Sequence, residues 1–480
     1  MLIDMIDHPQ GAVIDGVHVA SGLFGKNVRV VRPTDDLQKA IDRAGAAYAA
    51  TGAYQLVEVP PFTYTSSIYM RPGVCLRGVH RDLSVIDVDP SPNDGAAIYG
   101  NGKNWLQNLT IRGRKVPPSL LNACTTLTGW TAGTNITLSN PGPVDGRAGM
   151  LLTRGGPLSG TLARLDCSTG GPGVASKFYI WFRATAPLTA GQIVFETNTE
   201  PDGSGTSRTC DIPAIAANRW YGLYFGLLEQ TVKSVALKVG NADPNCNLYI
   251  SDIRYRPSSS ASFVAAINFP SLSTDELYDL TVEDCTLDGD EDVIIHTGDP
   301  AIPCEAVTLR RCDMTTAGDG LSYLTNILME DSRLVYDASH WRASWGRLIC
   351  HPGGYVKVRR SLLDLTVPAG HFGPGYPACF WTQGEVSPVE FEDCILRARI
   401  LDEKYSGVFV NCFYTAGTTP ITFDLIRCHL ETFDATGALQ HAHLNDEYSV
   451  GDIYNLIGCT SDRTLETNGD PTVNIRAGLD

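Results

Sequence analysis

The chain has 480 residues, of which 43% are hydrophobic and only 19% charged, which excludes a disordered polymer. At about 150 residues per domain, that length suggests roughly three domains. Its 37 basic and 53 acidic residues leave a net charge of −16. That is the wrong sign for a nucleic-acid binder, which needs a basic face, and for adhesion to an anionic membrane. No run approaches the ~18 apolar residues that span a bilayer, so neither nucleic acid nor membrane insertion is expected.

The first segment, 1–30, opens MLIDMIDHPQGAVIDG. It carries acids and a proline where a signal peptide has a basic stretch and an apolar run, so export by the usual route is not expected. The next segment, 31–117, starts with the one convincing helix, PTDDLQKAIDRAGAAYAATG (33–52). Thr34 reads as its N-cap, acids occupy the first turn, Leu37 and Ile41 share a face, and Gly52 is the stop. Short strands then alternate with Pro-Gly and Asn-Gly turns through 57–89 and 104–113.

From 118 to 260 the pattern changes. KFYIWFRA (177–184), RWYGLYFGLL (219–228), SVALKVG (234–240) and NLYISDIRYRP (247–257) alternate apolar and polar residues between turns. That predicts an inserted antiparallel β-sandwich. Trp130, Trp181, Trp220, Tyr221 and Tyr224 are either its core aromatics or flat rings for sugar faces. Cys124, Cys167, Cys210 and Cys246 fall in this insert and allow three disulfide pairings, among which the spacing does not choose.

From 261 to 480 one pattern keeps returning: LTVEDCTL, VTLRRCDM, ILMEDSRL, VKVRRSLL, VEFEDCIL, FDLIRCHL and YNLIGCTS. Each is an alternating strand, two further residues, then a small residue: Cys285, Cys312, Ser332, Ser361, Cys394, Cys428 and Cys459. A strand recurring at irregular intervals of 20 to 34 residues predicts stacked coils with insertions in the turns. The small residues then form an internal ladder in which cysteine acts as a small hydrophobe.

The helix followed by VEVPPFTYTSSIYMRPGVCLRGVHR resembles the start of the pectin-lyase-like right-handed parallel β-helices, a family that includes pectate lyases, polygalacturonases and bacteriophage tailspikes. The resemblance covers about 30–117 and 262–475. It implies an all-β fold: a right-handed parallel β-helix with a capping helix over its open N-terminal end. The insert resembles the jelly-roll modules that bind carbohydrate. Tailspike likeness further implies a homotrimer, docking to other virion proteins through the N-terminal arm, and location on the virion, with secretion as the alternative.

Counting seven residues on from Cys285 and Cys312 reaches Asp292 and Asp319. Equal offsets in adjacent coils would stack these carboxylates at about the inter-strand spacing of ~4.8 Å, raising one pKa. Such a pair, with His351 nearby in the later sequence, suits the acid and base of glycoside hydrolysis. Turn chemistry is the competing explanation, because Asp-Gly commonly links strands. The polygalacturonase motifs NTD and GHG are absent as written, and no DD occurs in the coils from 261 to 480. Asp288, Asp290, Asp292 and Asp299 have calcium-ligand character, but Val293 stands where an EF-hand loop needs glycine, and no cofactor is expected. His441 and His443 share a strand face without an evident third metal ligand, so an exposed coincidence is expected there. Trp341, Trp345, Phe372, Tyr376 and Trp381 read as turn aromatics lining a saccharide groove.

Three functions remain open: a tailspike-like appendage that binds and cleaves, or only binds, a bacterial surface polysaccharide; an autonomous polysaccharide lyase or glycoside hydrolase; and a structural virion or adhesin component.

Overall fold

The computed structural model describes residues 12–14, 17–19, 27–33, 35–88, 95–113, 119–169, 173–225, 230–257, 265–270, 278–290, 292–297, 304–337, 346–367, 377–383, 386–401, 409–434, 440–446 and 450–476. Apart from a small hairpin, Ala12–Ile14 with Val17–Val19, the strands divide between a coil stack and an insert.

Three parallel sheets build the stack, one of twelve strands and two of ten. One coil shows the path: Tyr278–Glu283 in the first sheet, Thr286–Gly289 in the second and Asp292–His296 in the third. The next coil repeats it with Cys304–Arg310, Asp313–Thr316 and Leu321–Ser322, each paired in parallel with its equivalent above. This is the β-helix-like arrangement that the repeat predicts. Along the first sheet, Val282, Leu309, Met329, Val358, Phe391, Leu425 and Leu456 form one buried interior column. Each coil thus completes the backbone pairing and apolar burial of its neighbours.

The ladder residues sit at the corner between the first and second sheets and are buried, yet they do more than fill space. Each donates to the carbonyl two residues back: Cys285 to Glu283 at 3.1 Å, Ser332 to Glu330 and Ser361 to Arg359, both at 2.7 Å. A thiol and a hydroxyl both meet that need, which explains why Cys and Ser exchange there. The preceding residue takes a left-handed backbone in every coil: Asp284, Arg311, Asp331, Arg360, Asp393 and Arg427 have φ between 47 and 54°. Bidentate ion pairs link these corners two by two: Arg311 to Asp284, Arg360 to Asp331 and Arg427 to Asp393, each with Nε–Oδ1 at 2.7 Å.

The helix runs Leu37–Thr51 and joins the coil core through Leu37, Ile41 and Ala44. Its N-cap is Asp36, which accepts from the Lys39 amide at 3.1 Å. The sequence pointed instead to Thr34, which lies outside the described residues. The acids precede the first turn because capping needs a side-chain acceptor just outside the helix. Gly52 ends it at φ 69°.

The insert enters between Gly113, last in a second-sheet strand, and Ala265, first in a third-sheet strand of the same coil. Its strands form antiparallel sheets of seven and five. Phe178, Ile180, Phe182 and Ile250 of one share an apolar cluster with Leu165, Phe195 and Leu237 of the other. Cys124, Cys167, Cys210 and Cys246 are free thiols.

Candidate site on the outer face of the third sheet

Pairing aligns one outward column along the third sheet: Ile295, Ser322, Cys350, Trp381, Tyr414 and Asn445 in successive coils. Beside it run Asp292, Asp319 and Arg347. All are buried, so the outer face carries its own polar and aromatic cluster, separate from the apolar interior.

The two sequence-singled carboxylates come to the same face, but each has a separate partner. Ser322 Oγ hydrogen-bonds to Asp292. Asp319 receives the Arg347 guanidinium through Nη2 at 2.5 Å and Nε at 3.2 Å, and the Arg347 amide at 3.0 Å. Burial pushes the Asp319 pKa up and Arg347 opposes it. Burial pulls at Arg347 in turn, and Asp319 outweighs it and raises its pKa. The upward shift expected for Asp319 thus has desolvation as its main cause, in place of like-charge repulsion.

Arg347 lies over the Trp381 ring, its Cζ 4.3 Å from the centroid, a cation–π contact. Tyr414 stacks along the column on Trp381 at 6.1 Å. His351 meets the Trp381 edge-to-face at 4.2 Å and stacks on Tyr323 at 4.9 Å with 12° between planes. Burial, then Arg347, pulls the His351 pKa down to about 4. The imidazole is therefore neutral through the physiological range and a weak base. Tyr323 and His351 have φ of 57° and 48°, a backbone that bulky side chains avoid. Tyr323 is 48% exposed, so the group ends in an open aromatic ring.

Trp381 is not the turn residue that the sequence suggested. It lies within the strand Ala378–Thr382 and is 6% exposed, because its outward position is packed by Arg347, His351 and Tyr414. Trp341, Trp345, Phe372, Tyr376 and Asp299 lie outside the described residues. Asp288 belongs to a second-sheet strand and Asp292 to a third-sheet strand, on either side of a corner. The corner between them is closed to side chains, since a Cβ on Gly289 would fall 1.7 Å from the Asp292 carbonyl.

His443 is fully buried, which corrects the expectation of an exposed coincidence. Its Nδ1 accepts from the Glu466 amide at 3.1 Å and its Nε2 faces Asp462 at 2.9 Å, a structural tether that occupies both nitrogens. The His441 side chain lies outside the described residues. Among the described residues no group of three or more His, Cys, Asp or Glu side chains is arranged to hold a metal, and no helix is long and apolar enough to cross a membrane.

Sequence reasoning missed Tyr323 and Arg347. Neither stands in a recognisable motif, and equal offsets do not reach Arg347, which lies fifteen residues after Ser332 where Asp319 lies seven after Cys312; only the strand register brings them together. In the insert, Tyr221 is a core residue at 1% exposure, while Trp130, Trp181 and Trp220 are half-buried; the Tyr224 side chain lies outside the described residues. A groove of about 520 Å³ lies elsewhere, at the ion-paired corner lined by Arg311, Asp331, Ser332, Arg360 and Asp393. These charged groups are already in ion pairs, Arg360 with Asp331, Arg311 with Asp284 and Asp393 with Arg427, so the aromatic group on the third sheet is the stronger candidate.

No family model and no curated protein matches the chain. Solved structures similar to part of it include the family 22 carbohydrate-binding module of Clostridium thermocellum Xyn10B, at 16% identity over 31% of this chain and 99% of that one, TM-score 0.23. They also include the family 29 module CBM29-2, at 11% identity over 30% and 91%, TM-score 0.21. A third is the CBM22-1 xylan-binding domain of Paenibacillus barcinonensis Xyn10C, at 12% identity over 30% and 99%, TM-score 0.22. Likeness at this level identifies no family.

Proposed function

We propose that the chain is a right-handed, pectin-lyase-like parallel β-helix that serves as a trimeric, tailspike-type virion appendage and binds a bacterial surface polysaccharide. The carrying observation is the Tyr323–His351 pair. Two bulky residues held at left-handed φ in successive coils stack their rings and leave Tyr323 open to solvent. Left-handed φ recurs at the corners of the coils; here it sets the two rings one above the other at the end of the third-sheet strands. An exposed ring backed by a rigid aromatic and ionic cluster suits the flat apolar face of a sugar. The coil stack repeats at ~4.8 Å, so it presents a linear surface to a linear polymer.

Binding without cleavage is favoured over turnover. Asp319 is committed to Arg347, and His351 at a pKa of about 4 is a poor general base near neutral pH. The test is incubation with purified capsular polysaccharides and lipopolysaccharide O-chains, reading retention on the protein and new reducing or unsaturated ends. Retention without new ends is expected, and Tyr323→Ala should weaken it. Failure of every glycan to bind overturns the reading. New ends that survive in Tyr323→Ala but vanish in Asp292→Asn would favour the hydrolase or lyase. A monomeric mass by light scattering, in place of three 51.8 kDa chains, would remove the trimeric part of the proposal.

A further inference from the structure

On the seven-stranded sheet of the insert, side chains alternate between core and outside. Ile180, Phe182, Leu248 and Ile250 are core residues, so Trp181, Arg183, Tyr249 and Ser251 face outward. A short hairpin crosses that outward face. Val144 and Arg147 exchange backbone hydrogen bonds of 2.9 and 3.1 Å around Asp145 and Gly146, whose φ are 50° and 79°. Two positive φ values in an Asp-Gly pair are the mark of a type I′ turn.

The hairpin is held to the sheet chiefly through side chains. The Arg147 guanidinium lies 3.7 Å from the centroid of Trp181 and 3.3 Å from Asp252. Asp145 pairs with Arg183 at 3.3 Å. Trp220 Nε1 donates to the Val144 carbonyl at 2.8 Å, and Ser251 Oγ to the Ala148 carbonyl at 2.5 Å. Beneath, Trp220 meets Tyr249 edge-on at 6.1 Å, and Arg183 lies 5.1 Å over Tyr249. Three aromatic residues and several hydrogen-bonding groups are thus gathered on one outer face, with a flat cation resting on the indole.

We propose that Trp181, Trp220 and Tyr249 form a second saccharide-binding surface, and that the hairpin 142–149 is a strap over it, with Arg147 holding the place of one sugar ring on Trp181. This rests on the polysaccharide reading above. A guanidinium plane and the apolar face of a pyranose use the same ring surface, so they exclude each other. When the strap lifts, the groups it releases, Arg183, Asp252 and Ser251, face the ligand's hydroxyls. Gly142, at φ 89° at one end of the strap, and Gly146 at its tip have open space around them, while Gly149 at the other end is packed against the Ile250 carbonyl and Trp220, so the free side of the strap has the room to lift. A mostly closed strap lowers apparent affinity by the fraction of time it is open.

The test measures binding of the full chain to purified capsular polysaccharides and O-chains, with acrylamide quenching of tryptophan fluorescence alongside. Arg147→Ala should tighten binding by about tenfold, the gain from removing a closed state populated some nine parts in ten, and should increase quenching. Adding Trp181→Ala should erase the gain in affinity. Arg147→Lys, which keeps the charge beside Asp252 but vacates the flat stack, should move affinity in the same direction and guards against misfolding of the alanine variant. Unchanged affinity in both Arg147 variants, or a gain that persists without Trp181, overturns the proposal. If glycans bind but the Arg147 variants are neutral, only the strap falls, and the Tyr323 surface stands. If no glycan binds any variant, the polysaccharide reading falls and this ligand assignment with it.

Discussion

Removing one member of the Asp319–Arg347 pair strands the other as a buried charge. Both are 7% exposed, and breaking such a pair from one side costs about 3–5 kcal/mol. Asp319→Asn is therefore expected to lower unfolding free energy by roughly 3 kcal/mol in denaturant titrations, and Asp319→Leu with Arg347→Met should recover most of it. Offset counting on the sequence reveals a like-charged neighbour, Asp292, whose repulsion an asparagine would relieve, and hides the arginine one coil further on. A second consequence concerns acid. His351 has its pKa lowered to about 4 from 6.5, so between those values the unfolded chain binds more protons than the folded one. Stability then rises with pH through that window and is lost as pH falls from 6.5 to 4. Each unit is worth about 1.4 kcal/mol, and partial exposure discounts the total, leaving about 2 kcal/mol. Buried His443, also depressed by burial, adds to it with the same sign. Melting temperatures measured from pH 7 to 4 should fall less steeply in His351→Phe; an unchanged slope would show that the ring titrates normally.

At the scale of the coil, the two residues before each of the first five ladder positions alternate in sign: Glu283-Asp284, Arg310-Arg311, Glu330-Asp331, Arg359-Arg360, Glu392-Asp393. In the structure they form two parallel ionic rows. Arg310 bridges Glu283 and Glu330 at 3.3 and 3.1 Å, and Arg359 reaches Glu392 at 3.3 Å, beside the bidentate corner pairs. The alternation sets neighbours: directly opposed like charges are destabilising in a sheet, so each coil fits best against one of opposite sign. Arg311→Glu places a carboxylate between Asp284 and Asp331. It should cost about 1 kcal/mol at low salt, less in concentrated salt as screening shortens the range of the repulsion. A salt-independent loss would point to packing instead. This pattern was legible, since VEDC, LRRC, MEDS, VRRS and FEDC print it plainly. So were the strands, the ladder and the capping helix, because period-2 alternation and a recurring small residue are local properties of the chain. The partners of Asp319, and the burial of Trp381 and His443, depend on which residues the coil register brings together. That register varies with turn lengths that the spacing does not constrain.

At the scale of the molecule, the insert interrupts one coil without displacing it. The flanking strands keep their pairings on both sides: Lys103–Gln107 with Tyr278–Glu283, and Ala265–Phe269 with both Ala96–Tyr99 and Asp292–His296. The two ends of the interruption also meet, since a Cβ on Gly113 would lie 2.4 Å from the Ala265 carbonyl. The following coil makes the same corner, from Gly289 to Asp292, with only residues 290 and 291 between. Replacing 114–264 with that Asp-Glu link is therefore expected to close the coil. The insert contributes its own apolar cluster, separate from that of the stack, so little buried surface should be lost from the stack. The shortened chain should unfold in one cooperative transition with a melting temperature within about 3 °C of the parent, at most the shift that ~1 kcal/mol produces in a large domain. It should also keep the glycan retention that depends on Tyr323 and lose any that depends on Trp181. A chain that expresses but unfolds without cooperativity would show that the stack needs the insert as a structural clamp. Retention that depends on Trp181 alone in the intact chain, and vanishes with the insert, would move the functional surface from the coils to the sandwich.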